Sequence, residues 1–387
     1  MNKLRLRLNE FLVLLKLFAA YIISFFHPKN IWLVSERGVD ARDNAYWLFL
    51  YIKKYHPEIQ AFYIISPDSP DRNKLQAYEK YLVNYGSFNH YLMLWRSSHF
   101  ISTHINGYLP IRGLFYSLNK YFNLFNSTKK IFLQHGITKE YLEFLYYENT
   151  RLDLFICGAK PEYEFISAKF HYPQSVLAYT GFCRFDNLKK SHSVKHQILL
   201  MPTWRIWLTN ENFLGSEYYK IYTQLLQSQN LKDLLVENNM QLIFYPHHEI
   251  QKFIQYFKNF DDGNNIIVAD SKHYDVQTLL MESKLLITDY SSVFFDFAFM
   301  DKPTLYYQFD FNHFYSRNRS VGYFKFEDGF GPQVFNEENL IENIRSLIHN
   351  NFIVPTKYKH KIDQFFPLKD TNNCSRVFDA IYRLKNG

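Results

Sequence analysis

Short, continuously apolar runs recur along this chain, each ending in a polar turn. "IWLVS" (31–35), "AFYIIS" (61–66), "HFIST" (99–103), "KIFLQ" (130–134), "LDLFIC" (152–157) and "VLAYTG" (176–181) form a first set. Runs of this length between turn residues predict strands buried on both faces of a sheet. Amphipathic stretches such as 41–55 and 161–170 lie between several of them. That alternation predicts βαβ units around a parallel sheet.

The polar stretch "NLKKSHSVKHQ" (187–197) interrupts the pattern, which then restarts. "ILLMP" (198–202), "QLIFYP" (241–246), "NIIVAD" (265–270), "LLITD" (285–289) and "TLYYQ" (304–308) are the second set of predicted strands. Helices are predicted over 217–227, 231–238, 250–257, 276–283 and 292–300. At 387 residues the chain exceeds what one core serves. The reading is therefore α/β, two parallel-sheet domains over 29–190 and 191–387, behind a leader over 1–28. A last amphipathic segment, 372–385, is grouped with the second domain, although it could pack across either one.

The leader breaks this plain picture. Lys3, Arg5 and Arg7 precede an apolar stretch over 11–26 that is interrupted by Lys16. It is shorter than the roughly 20 residues of a spanning helix, and no small-residue cleavage site follows it. The expectation is a helix lying in the membrane interface with its cations toward anionic headgroups. The alternative is a helix buried against the body of the protein.

Composition narrows the function classes. An apolar content of 47% describes a globular chain. A net charge of +7 suits anionic lipids or phosphorylated substrates. No basic stripe, zinc-finger spacing or base-reading module points to nucleic acid. The three cysteines, Cys157, Cys183 and Cys374, are too widely spaced for a disulfide framework or a CxxC metal site, and a reducing cytoplasmic location is expected.

In parallel α/β sheets, ligands meet the residues just beyond the carboxyl ends of the strands. With two such domains, those ends can face each other across a cleft. "FLQHGITKEYL" (132–142) puts His135 and Gly136 at one such exit, ahead of an expected helix. Glycine permits a sharp turn, Thr138 can cap the helix, and the free N–H groups of a helix start suit an anion. His135 reads either as a base working near neutral pH or as a structural histidine. In "AYTGFCRFDNL" (178–188), Arg184 can fork onto a phosphate or brace a hinge through Asp186. In "LLMPTWR" (199–205), Thr203 and Arg205 offer a hydroxyl and a guanidinium to an anionic group.

"LIFYPHHEI" (242–250) adds His247 and His248 beyond another strand. Sequence neighbours seldom share one ion, so a phosphate donor is the more economical reading than a metal ligand. "TDYSSVFFDFA" (288–298) closes the set. Ser291 and Ser292 at a helix start combine hydroxyl and N–H donors, as a diphosphate requires. Asp296 shares a helix face with Ser292 and can accept from sugar hydroxyls. The plainer reading is an N-cap at Asp289 or Ser291 with a buried aspartate brace.

Taken in order, "QHG", "TGFCRFD", "MPTWR", "YPHH" and "TDYSSVFFDFA" resemble the CDP-glycerol glycerophosphotransferase family, whose members prime or polymerise teichoic acids and related capsular polymers. The resemblance runs from about residue 30 to about residue 350. "RGVDARDN" (37–44) is similar to the family's early segment, with no role attached. The resemblance implies a GT-B-like fold, two Rossmann-like domains around a cleft, the first on the acceptor side and the second binding the CDP donor. It also implies a peripheral place on the cytoplasmic face of the membrane. The short leader would then do the membrane work that a large N-terminal extension does in some polymerases.

The reaction so implied moves glycerol phosphate from CDP-glycerol to a hydroxyl of a lipid-linked acceptor and releases CMP, with no cofactor and no metal expected. His135 carries over as the base, and Gly136, Ile137 and Thr138 as a loop lining the donor. Arg184, Pro202, Thr203, Arg205, Tyr245 and Pro246 carry over as donor-binding positions, as do Ser291, Ser292 and Asp296. His247 matches the family's donor-site histidine and acts with the base; His248 stands where the family has proline. In this scheme the acceptor hydroxyl attacks the β-phosphorus as His135 removes its proton, while His247, Arg184 and the Ser291–Ser292 helix start offset the charge. Rival readings are CDP-ribitol as donor, a nucleotide-sugar glycosyltransferase, and a non-catalytic membrane scaffold.

Overall fold

The computed structural model describes residues 2–122, 124–190, 193–318 and 322–384. For residues 2–9 it describes the backbone alone, so the leader cations Lys3, Arg5 and Arg7 lie outside the described side chains; Lys385, at the end of the last predicted helix, lies outside the described residues. The chain forms two units. One runs to Ile137, resumes over Leu142–Asn187 and closes with the residues from Asp370; the other holds Thr138–Tyr141 and Leu188–Lys369.

In the first unit the strands are β1 (Ile31–Ser35), β2 (Ala61–Ile65), β3 (Leu82–Asn84), β4 (Ser97–Ser102), β5 (Lys129–Phe132), β6 (Leu154–Cys157) and β7 (Leu177–Tyr179). They pair in parallel in the order β3-β2-β1-β4-β5-β6-β7. In the second they are β8 (Gln197–Leu200), β9 (Gln241–Phe244), β10 (Ile266–Val268), β11 (Leu285–Thr288), β12 (Thr304–Tyr307) and β13 (Gln333–Val334). Their order is β10-β9-β8-β11-β12-β13, again parallel throughout. Helices cover both faces of such sheets, so the strands read as unbroken apolar runs. Every residue of β1, β6, β8, β11 and β12 is buried. The two strands that sequence patterning missed, β3 and β13, are three and two residues long, too short to carry a pattern.

Two boundaries differ from the sequence reading. The final helix, Asn373–Arg383, belongs to the first unit and not to the second. Asp186 explains its return: its Oδ1 accepts the backbone N–H of Asn373 and its Oδ2 that of Cys374, each at 2.8 Å, so a carboxylate sits at the helix start. Phe378 then stacks on His56 with ring centroids 3.6 Å apart. Gly181 passes so close to Asn373 that a Cβ there would lie 1.8 Å from its Oδ1. The second difference is Thr138–Tyr141, which leaves the first unit just after His135.

The leader forms one helix, Asn2–Ser24. Val13, Leu17 and Ala20 are buried in the first unit's core, and Trp95 of the helix Phe88–Arg96 donates its indole N–H to the Leu17 carbonyl at 3.0 Å. Phe11, Leu12, Leu15, Phe18 and Ile22 are exposed on the same helix. The leader is thus docked on the body along one stripe while other apolar side chains stay uncovered. Among the described residues, no helix is long and apolar enough to cross a membrane.

Candidate functional site

β4 and β5 are parallel neighbours with Ser102 opposite Phe132, so the residues that follow them emerge side by side. Gln134 adopts φ +60°, a conformation unfavourable for a side-chain-bearing residue unless its surroundings hold it. Here its amide donates to the Ile156 carbonyl at 2.7 Å and to Glu162 at 3.0 Å. Its own carbonyl accepts from the Asn44 amide at 2.8 Å. Gln134, and not Gly136, therefore makes the left-handed turn that delivers His135 to an accessible position. The helix expected just after His135 is absent: residues 136–142 carry none, and the next element is a single 3-10 turn, Glu143–Leu145. Thr138 caps no helix start here, and no array of helix N–H groups faces an anion at this exit.

His135 Nδ1 lies 3.4 Å from the carbonyl of Thr103. A carbonyl only accepts, so Nδ1 carries the proton and Nε2 is the basic nitrogen of the neutral ring. His135 is exposed to solvent as a residue, yet the protein packed around its imidazole desolvates the imidazolium and lowers its pKa. Asp43 and the Thr103 carbonyl oppose that shift, while Arg184 and Arg37 add to it. The ring of His104 lies parallel to that of His135, centroids 4.5 Å apart and planes 5° apart.

Arg184 is buried, and its Nη1 donates to Asp43 Oδ1 at 2.9 Å. Its backbone N–H donates to Asn44 Oδ1 at 3.2 Å, and its guanidinium lies over the Phe182 ring. One guanidinium nitrogen of Arg184 is thus turned to Asp43, and the expected brace partner, Asp186, serves the C-terminal helix instead. Behind Asp43 lies Glu36, whose buried carboxyl oxygens accept the backbone N–H groups of Asp43 (2.7 Å), Arg42 (3.2 Å) and Tyr46 (3.3 Å). Burial, and then Asp43, push the Glu36 carboxyl up to about 8. The "RGVDARDN" segment is therefore a braced loop that presents Asp43 and Asn44 to Arg184 and to the Gln134 turn.

In the second unit β8 lies between β9 and β11, so three exits share one sheet end. Hydrogen bonds tie them together. Thr288 Oγ1 donates to the Met201 carbonyl (2.7 Å), Thr203 N–H to Asp289 Oδ1 (2.8 Å), and His247 N–H to the Pro202 carbonyl (3.1 Å). The Thr203 hydroxyl is buried without a hydrogen-bond partner among the described residues. Arg205 overturns its expectation, because its side chain is fully buried. It donates to Asp310 Oδ2 at 2.7 Å and Oδ1 at 3.1 Å and to the Thr203 carbonyl at 2.7 Å, and it pairs with Asp289 at 2.8 Å. The two carboxylates and this carbonyl occupy the guanidinium, leaving it unavailable to an anionic ligand.

His247 and His248 differ in environment. His247 is half-buried, and its Nδ1 accepts the N–H of Glu249 at 3.3 Å, so its Nε2 carries the proton. His248 is exposed and pairs with the Glu249 carboxylate at 3.2 Å. Tyr245, Pro246 and Pro202 are buried beneath them. Ser291 and Ser292 are half-buried ahead of the short helix Val293–Phe299, where Ser291 Oγ accepts the Val293 N–H at 3.4 Å and the Ser292 side chain makes no cap bond. Asp296 is buried one turn in. Asp289 is wholly buried with Arg205 and is not the helix cap. Among the described residues, no group of three or more His, Cys, Asp or Glu side chains is placed to hold a metal ion.

Sequence reasoning passed over Glu36, Asp43, Asn44, Thr103 and His104. His104 stands two residues beyond β4, and the strand-exit rule that found His135 would have found it too.

Residues 16–383 match the family described as CDP-glycerol:poly(glycerophosphate) glycerophosphotransferase. The minor teichoic acid biosynthesis protein GgaB of Bacillus subtilis (strain 168) is 33% identical over 381 residues, which are 95% of this chain and 41% of that protein. The teichoic acid poly(glycerol phosphate) polymerase of the same strain is 24% identical over 384 residues, 92% of this chain and 49% of that protein. The chain thus spans less than half the length of these two relatives. Among solved structures, a form of the wall teichoic acid polymerase TagF soaked with CDPG superposes with a TM-score of 0.66 at 20% identity, covering 98% of each chain. That likeness places the fold of this chain with TagF.

Proposed function

Because the chain belongs to the CDP-glycerol:poly(glycerophosphate) glycerophosphotransferase family, we propose that it moves glycerol phosphate from CDP-glycerol to a hydroxyl of a lipid-linked teichoic acid or capsular polymer, releasing CMP. The observation that carries this reading is the opposite tautomers of two histidines at strand exits. His135 keeps its proton on Nδ1 and offers a basic Nε2. His247 accepts at Nδ1 and offers an Nε2–H. One is set to take a proton and the other to donate a hydrogen bond.

In the proposed step, His135 Nε2 takes the proton of the acceptor hydroxyl as its oxygen attacks the β-phosphorus. The bond from that phosphorus to the CMP oxygen breaks, and CMP departs with the electron pair. His247 Nε2–H and the hydroxyls of Ser291 and Ser292 offset the charge on the transferring and departing phosphates. The unpartnered Thr203 hydroxyl supports a place beside the same donor. Arg205 shapes the Asp289 turn from inside, and Arg184 anchors Asp43 beside the base. The soak of TagF with CDPG supports a CDP-alditol as donor.

Incubation with CDP-glycerol and, separately, CDP-ribitol, each with a lipid-linked or glycerol-phosphate acceptor, tests the reading. Acceptor-dependent CMP from CDP-glycerol is the expected result, and His135→Ala removes it while donor affinity stays. CMP from CDP-ribitol alone moves the donor assignment. No CMP from either, with the protein folded, overturns the reaction.

We also place the protein peripherally on the cytoplasmic face of an anionic membrane, with the helix Asn2–Ser24 as the contact. Its uncovered Phe11, Phe18 and Ile22 support that placement.

A further inference from the structure

The ring stacked on His135 belongs to a residue held as firmly as the base itself. His104 N–H donates to Ser102 Oγ at 3.1 Å, and its carbonyl accepts the N–H of Gly107 at 2.9 Å. That turn needs glycine: a Cβ at Gly107 would lie 2.1 Å from the Glu36 carbonyl and 2.3 Å from Ser102 Oγ. The fully buried Thr103 holds both imidazoles, its hydroxyl 2.9 Å from His104 Nδ1 and its carbonyl 3.4 Å from His135 Nδ1. Two rings tied to one residue and parallel within 5° form a fixed pair.

We infer that His104 is a positioning residue for the His135 base, setting the plane of its ring and disfavouring a second positive charge beside it. The inference rests on the reading of His135 as the base. The rings meet face to face, so their nitrogens are not aimed at each other and no proton passes directly between them. What a stacked imidazole adds over plain packing is charge. When His104 is protonated, an imidazolium at His135 is repelled across 4.5 Å. Among the described residues, Asp43 favours the His135 cation, and Arg184 and Arg37 disfavour it. Glu36 stands behind Asp43 and is uncharged below about 8. Burial lowers the His135 pKa most, Asp43 opposes that shift, and the two guanidinium groups add to it; a charge on the second imidazole acts in the same direction as the guanidinium groups.

The test is a pH titration of the His135 imidazole in the full chain, followed by the carbon-bound ring proton with histidine labelled, and assigned by its loss in His135→Asn. His104→Phe keeps a stacked ring and removes its charge; His104→Ala removes both. In each variant the His135 midpoint is expected to rise by about half a pH unit or more. In His104→Ala, kcat also falls about tenfold or more while KM for the donor stays within about twofold. A midpoint unchanged in both variants overturns the inference. If the wild-type chain releases no CMP, the reaction reading falls, and the titration still decides the coupling of the two rings. If CMP is released and the midpoint does not move, the reaction stands and the role of His104 falls.

Discussion

Arg205 Nη1 lies 2.8 Å from Asp289 Oδ2, and neither side chain is exposed to any extent. Asp289 also accepts the backbone N–H groups of Thr203 (2.8 Å) and Tyr290 (2.6 Å) through Oδ1. One carboxylate thus binds the exit of β8 to the exit of β11, and the arginine supplies the charge that lets it be buried. The motif residues "TWR" and "TDYSS" belong together for this internal reason. Removing one partner of a buried pair leaves an uncompensated charge, which is costly.

Arg205→Met should therefore destabilise the second unit by about 3–5 kcal/mol, read by urea denaturation. Arg205→Lys should fail similarly, because an ammonium cannot reproduce the fork to Asp310. A donor-contacting arginine would behave differently, raising KM with stability intact.

His247 and His248 should separate cleanly. His247→Ala removes the Nε2–H donor and is expected to lower kcat by about 100-fold or more. His248→Ala, at an exposed ring paired with Glu249, should leave CMP release within about twofold. Equal losses in the two variants would remove the assignment of His247.

Glu36 gives stability a pH dependence of known sign. Its carboxyl ordinarily titrates near 4.5 but is held up to about 8 in the fold. Between those values the folded chain binds the extra proton, so stability falls as pH rises. This contribution is complete below about 4.5 and lost through about 8. Unfolding free energies at several pH values should decline more steeply in the wild-type chain than in Glu36→Gln. Parallel curves would show that Glu36 ionises without cost.

Gly181→Ala meets two obstacles, φ +76° and the Asn373 amide oxygen 1.8 Å from the new Cβ. The expected loss is about 1–3 kcal/mol, with the helix Asn373–Arg383 loosened first. Faster amide exchange in that helix than in β1 would show it; uniform exchange would not.

Removing the leader to test membrane binding would also take Val13, Leu17 and Ala20 out of the core. Phe18→Ser with Ile22→Ser changes exposed positions alone. The double variant should lose most sedimentation with phosphatidylglycerol vesicles while its melting temperature holds. Undiminished sedimentation would place the contact elsewhere.

Patterning alone announced ten or more buried parallel strands, the break near residue 190 and the strand exits as the places for chemistry, because a strand covered on both faces must be apolar throughout. It also brought His135, His247, Thr203, Ser291 and Ser292 forward, since each follows such a run directly. The same local rule could not tell a ligand-facing arginine from a buried one. Arg184 and Arg205 look alike in sequence, and only folding shows that Asp43, Asp289 and Asp310, remote in the chain, claim their guanidinium groups. Nor could it show that Gln134 makes the turn, that the last helix returns to Asp186, or that His104 comes to lie on His135. Those relations depend on which strands become neighbours, and side chains separated by tens of residues meet only once the sheet order is set.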